Sequence, residues 1–233
     1  MARSPLFDHL RSRAPQLSVG VLTANWMSLG ADLELLGKEG VGLLHFDVMD
    51  GCFCPMTTLG APVIAGLKTS MLKDVHLMIQ EPLDKVTSFV AAGADIVTVH
   101  SERNTHVHRV LQTLGQMTNV NDPGRGILRG LALNPGTPVS SIEPVLDEVE
   151  MILVLAINPG WGGQKFLSGT PERVRQIRKV AGEDVLICVD GGVTRENLSE
   201  IARMGADIIV TGSAVFDGKS PADNLRFMMG ALR

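Results

Sequence analysis

The sequence predicts a single-domain (β/α)8 TIM barrel, a fold of the α/β class. Short apolar segments alternate with helical patterns along all 233 residues, and no linker-like stretch divides them. The segments lack strict apolar–polar alternation, which is typical of parallel strands buried on both faces. Eight such units in a chain of this length fit one barrel. An open doubly wound sheet is the alternative, but its G-x-G-x-x-G turn after the first strand is absent.

The first half of the chain predicts four strands and four helices. Residues 1–16 are polar and mixed, and form an N-terminal arm or a short helix before the barrel domain at 17–233. Pro82 suits the first turn of the third helix, and Gly93 suits its end. Apolar runs predict strands at 17–24, 43–48, 73–78 and 95–100, and 3.6-residue periodicity predicts helices at 28–38, 61–67, 81–93 and 106–117.

The second half repeats the same alternation after a turn-rich segment at 118–126. The tripeptide Gly-Ala-Asp occurs at 93–95 and again at 205–207, each time between a predicted helix and a predicted strand. This repetition is consistent with a repeated βα unit. The predicted strands are 128–133, 151–157, 185–190 and 207–211, and the predicted helices are 141–148, 171–180, 195–204 and 221–232.

The composition excludes several classes of protein. Apolar residues make up 45% of the chain and aromatic residues only 4%, so the core must be aliphatic. A net charge of −4 without a long basic block argues against a nucleic-acid partner. The three cysteines lack a framework spacing, which favours reduced thiols in a cytoplasmic protein. Neither a signal peptide nor a membrane span of about 20 apolar residues is evident.

Polar side chains collect at the predicted carboxyl ends of strands, where barrels carry their catalytic groups. His45 and Asp47 lie on the second strand, His76 on the third and Asp190 on the seventh. Each could singly be a core histidine or a turn residue. Together they predict a site for one divalent metal ion, and Zn²⁺, Fe²⁺, Co²⁺ or Mn²⁺ would suit it. His100 on the fourth strand is interpreted as a structural or supporting residue.

Glycine-rich loops follow the last three strands, at 158–164, 191–192 and 212–213. Glycines let backbone N–H groups approach an anion, and barrels often hold a phosphate after strands seven and eight. The alternative is that these glycines only make tight turns. The predicted phosphate-binding residues are Gly160, Trp161, Gly162, Gly163, Gly191, Gly192, Gly212 and Ser213.

Five ordered motifs, HFDVMDG, DVHLM, NPGWGGQKF, VDGGV and GSAVF, resemble ribulose-phosphate 3-epimerases over about residues 17–216. The resemblance implies a metal-dependent isomerase of pentose phosphate metabolism that inverts C3 of D-ribulose 5-phosphate, giving D-xylulose 5-phosphate through an enediolate. It implies His45, Asp47, His76 and Asp190 as metal ligands, with Asp47 and Asp190 as the acid–base pair. His76 and Asp190 would also contact the substrate. Because the family commonly forms dimers or larger rings, we expect a homo-oligomer.

Departures from the family pattern concern the expected wall of the sugar pocket, which comprises Gly20, Met49, Met78 and Leu155. Gly20 stands where the family usually has a serine, and Leu155 where it has a methionine. Allulose 6-phosphate or a tetrulose phosphate therefore stays open as the substrate. The two methionines would limit water near the metal, or would serve only in packing.

Two functions other than epimerisation are compatible with a phosphate-binding barrel, a decarboxylase and a sugar-phosphate sensor. Related barrel decarboxylases carry D-x-K-x-x-D on an early strand, whereas Asp47 and Asp50 here enclose no lysine. A non-catalytic sugar-phosphate sensor would be expected to lose at least one metal ligand, and all four are present. Both alternatives are therefore disfavoured.

Overall fold

A computed structural model describes residues 3–232 and contains a closed barrel of eight parallel strands in sequential order. Strand β1 pairs with both β2 and β8, which closes the barrel. The predicted fold class is confirmed. The strands are β1 (Gln16–Gly20), β2 (Leu43–Met49), β3 (Leu72–Met78), β4 (Ile96–His100), β5 (Leu128–Leu133), β6 (Met151–Leu155), β7 (Leu186–Asp190) and β8 (Ile208–Thr211).

Helices surround the barrel, and one of them precedes it. The α-helices are α1 (Pro5–Arg11), α2 (Leu29–Lys38), α3 (Ala61–Gly66), α4 (Val86–Ala91), α5 (Val107–Gly115), α6 (Thr170–Ala181), α7 (Leu198–Arg203) and α8 (Pro221–Ala231). Short 3-10 helices lie at Val21–Thr23, Val139–Glu148 and Gly182–Asp184. Within the described residues, none of the helices has the length and apolar character needed to cross a membrane.

Several predicted boundaries were wrong for local reasons. The helix predicted at 141–148 is a 3-10 helix that contains Pro144, because a proline inside an α-helix removes a backbone donor and clashes with the preceding turn. The helix predicted at 81–93 begins only at Val86, after a turn in which the Lys85 N–H donates to the carbonyl of Pro82. The first strand ends at Gly20, and a 3-10 turn follows it.

Two hydrophobic layers form because successive strand residues face opposite sides of the barrel wall. The inward set, including Leu43 and Leu153, packs with Leu6, Phe7 and Leu10 of α1, which closes the amino-terminal end. The outward set packs against the surrounding helices. The opposite, carboxyl-terminal end of the barrel carries the polar residues.

The register of neighbouring strands brings those polar residues side by side. In the pairing of β2 with β3, His45 lies opposite Asp74 and Asp47 lies opposite His76. Because these residues share one parity along their strands, all of them face the barrel interior. On the other side of the barrel, the β6–β7 register places Leu155 beside Asp190.

Candidate functional site

Four side chains meet at the carboxyl-terminal end of the barrel: His45 and Asp47 of β2, His76 of β3 and Asp190 of β7. One ligand atom from each lies within 4.8 Å of all the others. Both histidines are fully buried, whereas the two carboxylates are partly exposed. The structure thus brings together every residue that the sequence predicts as a metal ligand.

The separations of the four ligand atoms fit a single divalent ion. His45 Nε2 lies 3.2 Å from Asp47 Oδ1 and 3.9 Å from Asp190 Oδ2. His76 Nδ1 lies 3.4 Å from the same Asp47 oxygen and 3.6 Å from the same Asp190 oxygen. Ligands about 2.1 Å from a tetrahedral ion are about 3.4 Å apart. The side chains therefore need only small shifts to hold one.

Two buried nitrogen atoms at the centre of this cluster lack a hydrogen-bond partner, namely His45 Nε2 and His76 Nδ1. The other nitrogen of each ring makes a hydrogen bond. His45 Nδ1 lies 2.8 Å from Asp74 Oδ2, and His76 Nε2 lies 2.9 Å from His100 Nε2. An unpaired buried polar atom costs about 1–3 kcal/mol. Metal-binding histidines typically engage one nitrogen with the ion and the other with a supporting group. Both rings have this pattern.

The charges of His45 and Asp47 support each other. Burial opposes the charged form of both groups. Nevertheless, Asp74 and Asp47 raise the pKa of His45 well above its ordinary value. In return His45, with a smaller effect from His76, holds the pKa of Asp47 below its usual range. Without a metal, Asp47 is therefore ionised at neutral pH.

Asp190 behaves in the opposite way. Burial, followed by repulsion from Asp47, raises the pKa of Asp190 to about 7. Burial also lowers the pKa of His76 to about 4, so this ring is neutral. Two carboxyl groups whose pKa values are pushed apart are suited to opposite roles as proton acceptor and proton donor.

Three supporting residues were missed at the level of sequence: Ser18, Asp74 and Glu102. Asp74 Oδ2 accepts a hydrogen bond of 2.8 Å from the Ser18 hydroxyl in addition to its contact with His45. Glu102 Oε2 lies 2.8 Å from His100 Nδ1. Asp74 is two residues before His76, and Glu102 is two residues after His100. Same-face spacing on β3 was therefore a signal that could have found Asp74, whereas Glu102 lies just after the end of β4.

A cavity of about 310 Å³ opens above the cluster. Asp47 and Asp190 line it, as do all four residues predicted for the sugar pocket wall: Gly20, Met49, Met78 and Leu155. Met49 and Met78 also pack with the buried Cys54, so they serve in packing as well. The predicted phosphate-binding residues Gly160, Trp161, Gly162, Gly163, Gly191, Gly192, Gly212 and Ser213 line the same cavity.

The loop after β7 requires glycine at two consecutive positions. Gly191 has φ +99° and Gly192 has φ +66°, a region that other residues rarely adopt. A Cβ atom on Gly191 would lie 2.3 Å from the Ile157 side chain, and one on Gly192 would lie 2.7 Å from the Phe166 backbone nitrogen. Both glycines line the cavity without side chains, which suits close approach of their backbone to an anion.

Comparisons with known proteins identify the family of this chain. A family model described as the Ribulose-phosphate 3 epimerase family matches residues 16–216. The chain is 39% identical over 222 residues to the chloroplastic ribulose-5-phosphate-3-epimerase of Arabidopsis thaliana, covering 93% of this chain and 77% of that relative. It is 37% identical over 207 residues to the ribulose-phosphate 3-epimerase of Bacillus subtilis, covering 86% and 92%.

Among solved structures, the 3-hexulose-6-phosphate synthase from Salmonella typhimurium has a similar fold. The TM-score is 0.69 at 15% sequence identity, and the match covers 93% of this chain and 98% of that one. This likeness concerns the barrel architecture alone.

Proposed function

The chain belongs to the ribulose-phosphate 3-epimerase family and is a carbohydrate epimerase, and on this premise we propose that it interconverts D-ribulose 5-phosphate and D-xylulose 5-phosphate. The observation that carries the proposal is the pair Asp47 and Asp190. Their carboxylates come from different strands, face one cavity and have pKa values shifted in opposite directions.

Inversion at C3 needs a proton to leave one face of the carbon and another to arrive on the opposite face. Asp47, ionised and held by His45, takes the C3 proton, and the electrons of the C–H bond pass into an enediolate. Asp190, whose pKa of about 7 in the metal-free protein lets it exchange a proton near neutral pH, donates to the other face. In the reverse direction the two carboxyl groups exchange these roles.

The residues that would hold a divalent ion are His45, Asp47, His76 and Asp190. The fit is supported by the two unpaired ring nitrogens and by the four ligand separations given above. Such an ion, when bound, acts as a Lewis acid that stabilises negative charge developing on the substrate oxygens. Zn²⁺, Fe²⁺, Co²⁺ and Mn²⁺ all accept this set of nitrogen and oxygen ligands.

The remainder of the cavity would position the substrate. The bare backbone of the loops after β6, β7 and β8 is suited to the phosphate group. Met49, Met78 and Leu155 give the sugar end an apolar wall, which limits water around the enediolate. Reactive carbanion-like intermediates are otherwise readily protonated by solvent.

A related ketose phosphate is a second candidate substrate, favoured by one observation. Gly20 lines the cavity without a hydroxyl group, although a Cβ atom there would meet its nearest neighbour at an ordinary 3.5 Å. The lack of a side chain leaves room for a different sugar, such as allulose 6-phosphate or a tetrulose phosphate.

The test is an activity panel with metal-reconstituted protein and phosphorylated ketoses of four, five and six carbons. We expect kcat/KM to be highest for ribulose 5-phosphate, with solvent deuterium entering at C3. A higher value for another ketose phosphate would reassign the substrate. Deuterium exchange that persists at the wild-type rate in metal-free Asp190→Asn protein would refute the two-carboxylate mechanism.

A further inference from the structure

His76 is connected to a carboxylate through a second histidine. His76 Nε2 lies 2.9 Å from His100 Nε2, and His100 Nδ1 lies 2.8 Å from Glu102 Oε2. Both rings are almost completely buried, and they stack with centroids 5.0 Å apart. Burial therefore shields these contacts from solvent.

The donor and acceptor chemistry of these three side chains determines which nitrogen atoms carry protons. An ionised carboxylate only accepts hydrogen bonds, so the proton in the contact with Glu102 is on His100 Nδ1. A neutral imidazole carries one donor and one acceptor, which makes His100 Nε2 the acceptor. The proton between the two rings is then on His76 Nε2. His76 Nδ1, which makes no hydrogen bond and lies 3.4 Å from Asp47 Oδ1, is left with its lone pair directed at the metal cluster.

We propose that His100 and Glu102 are positioning residues that hold His76 in its Nε2–H tautomer, so that Nδ1 is available to a divalent cation. This inference rests on the metal site of the proposed function. Asp74 orients His45 in the same way by direct contact with Nδ1. His76 is oriented indirectly, because Glu102 contacts His100 of β4 and His100 contacts His76.

Glu102 is itself oriented by neighbouring segments. Its other oxygen, Oε1, accepts a hydrogen bond of 2.9 Å from the Asn134 backbone N–H and another from the Thr137 hydroxyl. Arg173 of α6 donates to the carbonyls of Asn134 and Pro135, at 3.1 and 3.2 Å, and so supports the same turn. Oε1 thus faces donors only, while Oε2 faces the histidine.

This arrangement makes Glu102→Gln a sharp test, because the substitution hardly changes shape. The glutamine oxygen would take the place of Oε1, where it faces two donors, and the NH₂ group would then face His100 Nδ1. An NH₂ group donates, so His100 would move its proton to Nε2, and His76 would have to move its own to Nδ1. The nitrogen directed at the cation would then be blocked.

The experiment measures two-bond ¹H–¹⁵N correlations of the histidine rings in metal-free protein, and Zn²⁺ affinity by chelator competition. In the wild type we expect the Nε2–H tautomer of His76. In Glu102→Gln we expect the Nδ1–H tautomer and Zn²⁺ affinity weaker by about 10- to 100-fold. Glu102→Asp keeps a carboxylate and should retain the wild-type tautomer. Glu143→Gln, which removes an exposed carboxylate, is the matched control and should change neither readout.

Folded Glu102→Gln protein with the wild-type tautomer, or with wild-type Zn²⁺ affinity, would overturn the proposal. If Glu102→Gln does not fold, His100→Phe keeps the stacked ring and removes its acceptor, and it should lose Zn²⁺ affinity to a similar extent. Neither readout uses turnover. If the wild-type protein epimerises ribulose 5-phosphate but its His76 lacks the Nε2–H tautomer, only this inference is refuted. If His76 has that tautomer but the wild-type protein shows no epimerase activity, only the proposed function is refuted.

Discussion

The two halves of the barrel interior, formed by β1 to β4 and by β5 to β8, differ in character at the same height. In the first half the inward residues above the apolar floor are mostly polar, and in the second half they are mostly apolar. The first set includes Ser18, His45, Asp47, Asp74, His76, Thr98 and His100, and the second includes Ala132, Leu153, Leu155, Cys188, Asp190 and Val210.

This difference contributes to the unlike pKa values of the two aspartates at this site. Asp47 lies in the polar half, close to both histidines, and its negative charge is compensated. Asp190 is the polar exception in the apolar half, and burial together with repulsion from Asp47 raises its pKa to about 7. In the proposed mechanism, the polar half would supply the proton acceptor and the apolar half the proton donor.

The largest effect on activity is expected from replacing Asp190, the polar exception in the apolar half. We expect Asp190→Asn to lower kcat by about 10²- to 10⁴-fold, the usual contribution of a positioned acid or base. The metal-free variant should unfold at a higher temperature than the wild type at pH 8. Because the pKa of Asp190 is raised from an ordinary 3.8 to about 7, this carboxyl group progressively destabilises the folded state as the pH rises from 3.8 to 7, and at pH 8 the whole cost is present. Steady-state assays and thermal melts measure both effects.

Asp47→Asn is the matched variant in the polar half. It should also abolish most activity, but it should lower the melting temperature, because it leaves His45 without one of its compensating charges. Equal shifts of melting temperature in the two variants would contradict the distinction between the halves.

Removing a support of the polar half should chiefly affect folding. Asp74→Ala leaves the Ser18 hydroxyl and His45 Nδ1 without an acceptor inside the barrel. Breaking such a buried pair costs about 3–5 kcal/mol, which urea unfolding of the metal-free protein would measure. Asp74→Asn keeps the shape and one acceptor oxygen, and it should cost less. An Asp74→Ala protein as stable as the wild type would show that the polar half needs no internal support.

The pH dependence of metal affinity probes both halves together. Below pH 7 in the metal-free protein, Asp190 carries a proton that a cation must displace, and His45, whose pKa is also raised, carries another. Zn²⁺ affinity should therefore rise with pH, by about tenfold per unit for each proton displaced. Chelator competition from pH 5.5 to 8 measures this slope. In Asp190→Asn the slope should decrease by one proton, and an unchanged slope would locate the titrating group elsewhere.

The sequence predicted more of the barrel and of the ligand set than of the support beneath them. The apolar runs gave the order of the strands, and because the ends of parallel strands converge, His45 and Asp190 could be placed near each other although they are far apart in the chain. Contacts such as that between His45 and Asp74 depend on the register of two strands, which periodicity does not determine. The 3-10 helix around Pro144 was predicted as an α-helix, because the helical pattern of apolar residues there did not reveal the effect of one proline.

The smallest expected effect concerns the rim of the polar half, where β1 offers Gly20 in place of a hydroxyl group. Gly20 has an extended backbone, with φ −70° and ψ 119°, and a Cβ atom there would make only ordinary contacts with Gly212. Gly20→Ser should therefore change the free energy of unfolding by less than about 1 kcal/mol. It should alter the ratio of kcat/KM between five- and six-carbon ketose phosphates, because Gly20 lines the cavity.

Gly212→Ser is the matched control across the same strand pair. Its Cβ atom would lie 2.9 Å from the Gly20 carbonyl oxygen, so we expect it to destabilise the fold. Unchanged substrate ratios in a stable Gly20→Ser protein would show that Gly20 does not determine the choice of sugar.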